Sequence, residues 1–315
     1  MAVMVTGGTG YIGSYLVRRL LAEGHKVVIF DNAPNMERIA DIAGQVEVVV
    51  GDVTELAEIL NAINRYGVER IAHLAYFISA SLTKFPTRGL RINLLGTANM
   101  FEAARIAGLR RVVYGSSVTQ YGSRSTLDEP EWGEEDVPQP GGPALLYGAC
   151  KQFDERTAEH YTMIHGLELI GMRLTSIYGL GRGQRQNVAP HFMVLPERAA
   201  LGEAVVFPPD ALMSDWMYAP DAALALHLAL FRPLPQHRVF NMASQRAPHG
   251  EIRRIVESLL PGARITVGTE VPTTVRLVNS DRLRDELGFV PEYSLEEGYR
   301  DYLGRVRAGA GLPAL

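Results

Sequence analysis

Residues Met4–Gly13 read MVTGGTGYIG, and this stretch decides the fold. The residues leading into it, Ala2–Thr6, are apolar and β-prone. Those after it place Ile12, Leu16 and Leu20 on one helical face and stop at Gly24. The glycines between fit two spacings. Gly8, Gly10 and Gly13 make G-x-G-x-x-G, and Gly7, Gly10 and Gly13 make G-x-x-G-x-x-G. A strand, a glycine turn and a helix in that order form a cradle for a pyrophosphate. Glycine permits the tight turn, brings backbone N–H groups against the anion and lets the helix pack close to the sheet. Gly7, Gly10, Tyr11, Ile12 and Gly13 are the expected contacts. The alternative is a glycine turn without a ligand. Against it, KVVIFD ends at Asp31, near the offset of about 20 residues at which a carboxylate accepts from the adenosine ribose. That carboxylate repels a 2′-phosphate, and Asn32, Ala33 and Pro34 bring no arginine to hold one. The expected cofactor is NAD, with Asn32 counted beside Asp31.

Outward from this stretch the alternation continues. VEVVVGD ends at Asp52, a helix with a Thr start spans residues 54–66, and RIAHLA ends at Ala75. INLLGTANMFEAARIAG is helical, and RRVVYGSS is a fifth strand ending at Ser116 and Ser117. Continuous apolar strands alternating with helices predict a parallel sheet covered on both faces, doubly wound by right-handed crossovers. Asp52 and Val53 suit either an adenine site or the start of the next helix. Leu74 and Ala75 end the fourth strand, on the cofactor's phosphate side.

Ser123–Pro143, SRSTLDEPEWGEEDVPQPGGP, reads as a long acidic loop. The segments RGQRQNVAP and FPPDALMSD read as loops over a ligand site, and helices and short strands from Gly250 onward as a second lobe. The fold class is therefore α/β: a Rossmann-type doubly wound parallel sheet with a smaller C-terminal substrate-binding lobe. Residues 1–174, with a segment of about 215–243 returning to them, form the NAD-binding domain. Residues 175–214 and 244–315 form the lobe.

The acidic loop leads to LLYGACKQ, which holds Tyr147 and Lys151 four positions apart. Positions i and i+4 share a helix face. A free tyrosine, with a pKa near ~10, is a poor base at neutral pH, and a nearby cation favours its phenolate. A tyrosine tuned in this way removes a proton from an alcohol while the carbon gives its hydride to NAD. Alone, the spacing also describes an ordinary solvated face. Ser117, at the sheet's carboxyl edge where open α/β folds bind ligands, gives it company.

Together these motifs resemble the extended short-chain dehydrogenase/reductases, the NAD-dependent epimerase/dehydratase family. The matching elements are TGGTGYIG, Asp31, GDV at Gly51, HLA at His73, Asn93, SSVTQYG, YGACK, RLTSIYG and LGFVPEYSLEEG, in family order over nearly the whole chain. The resemblance implies that Tyr147 is the general acid or base. It makes Lys151 the residue that tunes Tyr147 and holds the nicotinamide ribose, and Ser117 the one that orients the reacting oxygen. Asn93 becomes a supporting residue, and Tyr178 a neighbour of the nicotinamide. It also implies a homodimer through helices near 93–107 and 147–165.

Three departures narrow the activity. Val118 and Thr119 stand where dehydratases of the family carry Asp-Glu, so proton donors for water elimination are missing. Ser176 stands for an Asn, and Ser214 for an Arg, that commonly bind the substrate diphosphate. Arg182, Arg185 and Arg276 are candidate replacements, and Thr119, Ser176, Arg182 and Arg276 are the expected substrate contacts. The leading expectation is an NDP-sugar epimerase working through a transient ketone. The alternatives are a dehydrogenase of a non-nucleotide sugar or small alcohol, and a non-catalytic NAD sensor.

Composition excludes other classes. A net charge of -4 without a basic block argues against nucleic-acid binding. The longest apolar run, AALALHLALF, is too short to span a bilayer. The single cysteine, Cys150, allows no internal disulfide and suits a cytoplasmic protein with a small-molecule substrate. The eight histidines show no metal-ligand spacing, so no metal is expected.

Overall fold

A computed structural model describes residues 1–122, 131–137, 145–182, 191–271 and 277–315. Among them the strands are β1 (Ala2–Thr6), β2 (Lys26–Asp31), β3 (Glu47–Val50), β4 (Arg70–His73), β5 (Arg111–Ser117) and β6 (Glu168–Leu174). They continue with β7 (Ser176–Tyr178), β8 (Val205–Phe207), β9 (Met213–Tyr218), β10 (Val239–Met242), β11 (Gln245–Pro248) and β12 (Ile265–Val267). Seven of them form a parallel sheet in the order β10-β6-β5-β4-β1-β2-β3.

Alternate residues of each strand feed two cores. Val3, Val5, Val27 and Ile29 pack with Leu16 and Leu20 of the helix Tyr11–Ala22 and with the helix Ala219–Phe231. Met4, Val28 and Phe30 pack on the other face with Ile59, Ile63, Met100 and Phe101. Both faces being covered is why these strands read as unbroken apolar runs. Strand order reverses between β1 and β4, so the crevice for a ligand lies beyond their carboxyl ends.

Two boundaries differ from the sequence expectation. β3 stops at Val50 and the next helix begins at Leu56, because Asp52 makes a turn. Its Oδ1 accepts from the Thr54 N–H (2.8 Å) and its carbonyl from the Glu55 N–H (3.0 Å). β4 stops at His73 because the Thr6 hydroxyl accepts from the backbone N–H groups of Leu74 and Ala75, both at 3.1 Å. Within 215–243, the helix Ala219–Phe231 and β10 pack on the main sheet, whereas residues up to Tyr218 belong to β9.

β9 lies between β7 and β11 in a small mixed sheet, and β8 pairs with β12. FPPDALMSD, expected as a loop, therefore contains the end of β8 and the start of β9. The lobe core is aromatic: Tyr178, Trp216, Tyr218, Tyr299 and Tyr302 are buried together. The helix Leu295–Gly309 that supplies two of them opens with a capping box between Ser294 and Glu297. Among the described residues no helix is long and apolar enough to cross a membrane.

Candidate active site

The glycine turn closes on itself. Gly7, at φ 66°, donates its N–H to Phe30 O (2.9 Å), and Gly10 donates to Gly7 O (2.8 Å). A Cβ at Gly10 would lie 2.8 Å from Gly7 O, one at Gly13 2.3 Å from it, and one at Gly7 2.9 Å from the Ala75 nitrogen. Gly7, Gly10 and Gly13 are thus the set whose missing side chains let turn, helix and β4 approach. The helix Tyr11–Ala22 starts with no side-chain cap and no acid in its first turn. Its N-terminus suits the negative charge of a dinucleotide diphosphate, so the cradle fits that group.

Asp31, half-buried at the end of β2, is held in a fixed orientation. The Thr9 hydroxyl donates to its Oδ2 (2.6 Å), the Ala33 N–H reaches Oδ1 (3.2 Å), and Asn35 N–H in turn donates to Thr9 Oγ1 (3.0 Å). Thr9 went unremarked in the sequence, although as the x of G-x-G it sits inside the motif. Asn32 is exposed beside Asp31. Asp52 caps its turn, while Val53 is buried against Gly96 with its carbonyl accepting from Asn99. Under the β4 end, His73 sits buried between the hydroxyls of Thr6 (2.8 Å) and Thr97 (3.2 Å). Burial, with Lys151 nearby, pushes its pKa down to about 3, so it is neutral.

Ser117 ends β5 and begins a short 3-10 turn. Its Oγ accepts from the Thr119 N–H (3.1 Å) and donates to Thr119 Oγ1 (3.0 Å). Gly148, in the helix Leu145–His165, has no room for a Cβ, which would lie 2.8 Å from Thr119 O. That close approach sets Tyr147 against Ser117. Burial pushes the Tyr147 pKa up to about 12, against a Ser117 hydrogen bond that lowers it.

Lys151 lies near Tyr147, as their spacing suggested, but other groups hold it as well. Its ammonium donates to Gly115 O (2.5 Å), lies 2.9 Å from the centre of the Tyr76 ring and 3.7 Å from Asp154, and stays 5.8 Å from the Tyr147 ring centre. Sharing a face brought the two side chains near each other, but a carboxylate, a carbonyl and another aromatic face compete for the cation. Asn93 is wholly buried in a π-helical turn, Arg91–Leu95. It spends both ends of its amide on the backbone of Phe77, accepting its N–H (2.7 Å) and donating to its carbonyl (3.0 Å). It shapes the segment after β4 through that backbone.

The profile of the NAD dependent epimerase/dehydratase family matches residues 3–243. The chain belongs to this family. It is an NAD-dependent enzyme of the extended short-chain dehydrogenase/reductase type. A UDP-glucose 4-epimerase of Corynebacterium glutamicum is 26% identical over 318 residues, spanning 93% of this chain and 92% of its own. A solved UDP-glucose 4-epimerase of Stenotrophomonas maltophila, with bound NAD and formylated UDP-arabinopyranose, is 25% identical. It superposes with a TM-score of 0.83 over 99% of both chains. An L-threonine dehydrogenase from Cupriavidus necator superposes with a TM-score of 0.81 over 97% of this chain and 100% of its own. At 21% identity that likeness is one of fold.

The expected substrate contacts lie as follows. Ser214 is buried and its hydroxyl meets His249 Nε2 at 2.8 Å, in the lobe interior. Asp215 beside it receives the Arg246 guanidinium (2.8 Å) and the Val278 N–H (2.7 Å). Ser176 is half-buried in β7, and Val118 is buried with Tyr121 and Trp132. Tyr178 stacks on Tyr299 (4.4 Å between centres) and Tyr218 (5.1 Å), so its ring is part of the lobe core. Arg182 donates to Ile177 O (2.5 Å) and lies over the Tyr11 ring. Arg185 and Arg276 lie outside the described residues.

Proposed function

We propose that the protein interconverts epimers of an NDP-sugar by removing and returning hydrogen at one secondary alcohol carbon, through a transient ketone. The observation that carries this reading is the meeting of Ser117, Tyr147 and Lys151 at the carboxyl edge of the sheet, beside the glycine cradle. The relatives named UDP-glucose 4-epimerase support the choice of reaction and substrate class. In this reading Gly7, Gly10, Tyr11, Ile12 and Gly13 hold the diphosphate of NAD. Asp31 and Asn32 hold the adenosine ribose, Asp52 and Val53 the adenine, and Leu74 and Ala75 flank the phosphates. Bound NAD supplies the hydride acceptor and donor. Tyr147 Oη takes the alcohol proton and gives it back, and Ser117 Oγ holds the same oxygen. Ionising a phenol whose pKa stands at about 12 needs a cation, and Lys151, 5.8 Å from its ring centre, is a cation on its own helix.

A second reading, a dehydrogenase of a non-nucleotide alcohol, is favoured by Ser176 and by the inward turn of Ser214. One experiment separates the two. The cofactor is released from the purified protein and identified, and UDP-sugars, free sugars and simple alcohols are then assayed. A converted UDP-sugar without net NADH supports the epimerase, and NADH accumulating on a free alcohol supports the dehydrogenase. A Tyr147→Phe variant that keeps turnover removes the assigned base in either case.

The chain is further proposed to be a cytoplasmic homodimer. Its helices Gly96–Ile106 and Leu145–His165 expose Ile106, Phe153, Met163 and Ile164, an apolar set suited to a second copy. Light scattering that gives one chain mass at micromolar concentration would refute the dimer.

A further inference from the structure

Asp154 has no part in the reaction as described, yet it is among the most buried acids of the described residues. Its side chain is 1% exposed, three positions beyond Lys151 on the same helix. Its Oδ2 accepts from the Tyr76 hydroxyl (2.8 Å) and lies 3.7 Å from Lys151 Nζ, while its Oδ1 is buried with no partner among the described residues. Tyr76 follows the β4 end directly. It offers its ring face to the Lys151 ammonium (2.9 Å) and stands edge-to-face with Tyr147 (5.8 Å between centres). Four groups from three parts of the chain thus surround the pivotal cation: Gly115 of β5, Tyr76 after β4, and Asp154 and Tyr147 on the helix.

We propose that Asp154 and Tyr76 are positioning residues for the reaction: they hold Lys151 at a fixed place below Tyr147 and keep it a cation. The inference rests on the reading of Tyr147 as the base. The physical reason is desolvation. A lysine 2% exposed loses the hydration that makes an ammonium favourable, so its charge survives only beside a carboxylate. Lys151 is accordingly pushed down to about 8 by burial, with Asp154 the first group opposing that. Asp154 in turn is pushed up to about 6 by burial, against Lys151 and the Tyr76 hydrogen bond. The other titratable groups facing the pair are Tyr147, Cys150 and Glu155 on the helix, Tyr114 of β5 and His73 of β4. Of these Glu155 brings a further negative charge, and it is already taken by Arg173.

The test is Asp154→Asn, which keeps an acceptor for the Tyr76 hydroxyl and removes the charge, with Asp154→Glu as the conservative variant and Tyr147→Phe as control. Three readouts are needed: the pH profile of kcat/KM, NAD affinity by quenching of intrinsic fluorescence, and the Tyr147 phenolate by difference absorbance against the matching Tyr147→Phe protein. The loss of an opposite charge at this range moves a pKa by about one unit or more. In Asp154→Asn the alkaline limb set by Lys151 should therefore fall by about one unit, and where Lys151 has become neutral the phenolate limb should rise, against the fall that losing the Asp154 charge itself gives Tyr147. kcat/KM should drop about twofold at neutral pH and about tenfold above the limb, where one unit is tenfold at fixed pH. Asp154→Glu should restore part of both shifts. A purely structural Asp154 would lower activity equally at every pH. Limbs and phenolate titration unmoved in a folded Asp154→Asn protein, with Tyr147→Phe inactive, would overturn the proposal alone. An active Tyr147→Phe would overturn the reading beneath it.

Discussion

The helix Leu145–His165 carries two buried ion pairs at adjacent positions, and they are built differently. Glu155 binds Arg173 through two parallel bonds, Nε to Oε1 (2.9 Å) and Nη2 to Oε2 (2.7 Å). The same carboxylate accepts from Ser116 Oγ (2.5 Å) and Gln120 Nε2 (2.6 Å), and Arg173 spends Nη1 on the Tyr121 hydroxyl and Glu134 O. Burial opposes the Arg173 charge, yet Glu155 outweighs it, and the guanidinium pKa rises. Asp154 and Lys151 stand 3.7 Å apart with one carboxylate oxygen unmatched, and both are shifted toward neutrality. A buried pair whose polar atoms are matched fixes the helix on the sheet. A pair left short of partners keeps a cation close to neutralisation, which suits a proton-handling site.

Breaking the matched pair should have the largest effect. Glu155→Ala leaves the Arg173 guanidinium buried with a hydroxyl and a carbonyl for company. A loss of about 3–5 kcal/mol is expected for such an uncompensated charge. Urea denaturation would measure it, and a loss below about 1 kcal/mol would show the pair to be dispensable.

The unmatched pair should behave in the opposite way when both partners go. Lys151→Met with Asp154→Leu should abolish turnover yet leave stability at neutral pH equal, or up to a few kcal/mol higher, because two poorly compensated charges leave the interior. The sign follows from linkage. The Asp154 pKa is raised from 3.8 to about 6, so its stabilising contribution is complete below 3.8 and disappears as pH rises through 6. That of Lys151 is lowered from 10.5 to about 8, so its contribution is complete above 10.5 and disappears as pH falls through 8. The pair therefore costs most between about pH 6 and 8. Unfolding free energies of parent and double variant, compared across pH, should differ most in that window. A constant difference would mean that neither group titrates as described.

The two pairs also mark where the sequence stopped being readable. The glycine turn, Asp31 and the strands of the main sheet are local patterns: unbroken apolar runs, a strand-turn-helix order and a fixed offset. Tyr147 and Lys151 were legible as an i,i+4 pair. Asp154, three positions past Lys151, is on the same face by the i,i+3 rule, but that spacing alone describes an ordinary surface ion pair and carries no sign of burial. Tyr76 carries no local signal. It reaches the site from 78 positions before Asp154 in the chain, and only the closure of β4 beside β5 brings it there. The ring partners of Tyr178 were hidden from the sequence for the same reason. Its motif places its backbone at the sheet edge, but the stacking partners that claim its ring, Tyr218 and Tyr299, come from β9 and the last helix.

The smallest changes give the sharpest comparison, since each removes a single hydroxyl from one pair. Tyr76→Phe keeps the ring under Lys151 and deletes the 2.8 Å bond that Asp154 accepts. With Oδ1 already without a partner among the described residues, the carboxylate then loses its short donor, and about 1–3 kcal/mol is expected. Ser116→Ala deletes the 2.5 Å bond to Glu155, which still accepts from Gln120 and twice from Arg173. About 0.5–1 kcal/mol is expected there, the net worth of one ordinary hydrogen bond. The pH profiles should separate the two more clearly than the energies. Without its donor, Asp154 holds a proton more readily, so its pKa rises further and Lys151 loses its counter-charge at a higher pH. The acid limb of kcat/KM should move upward in Tyr76→Phe and stay in place in Ser116→Ala. If Ser116→Ala moved that limb by as much, the neighbouring carboxylates would have to share one proton-handling network, and the division between a holding pair and a working pair would fall.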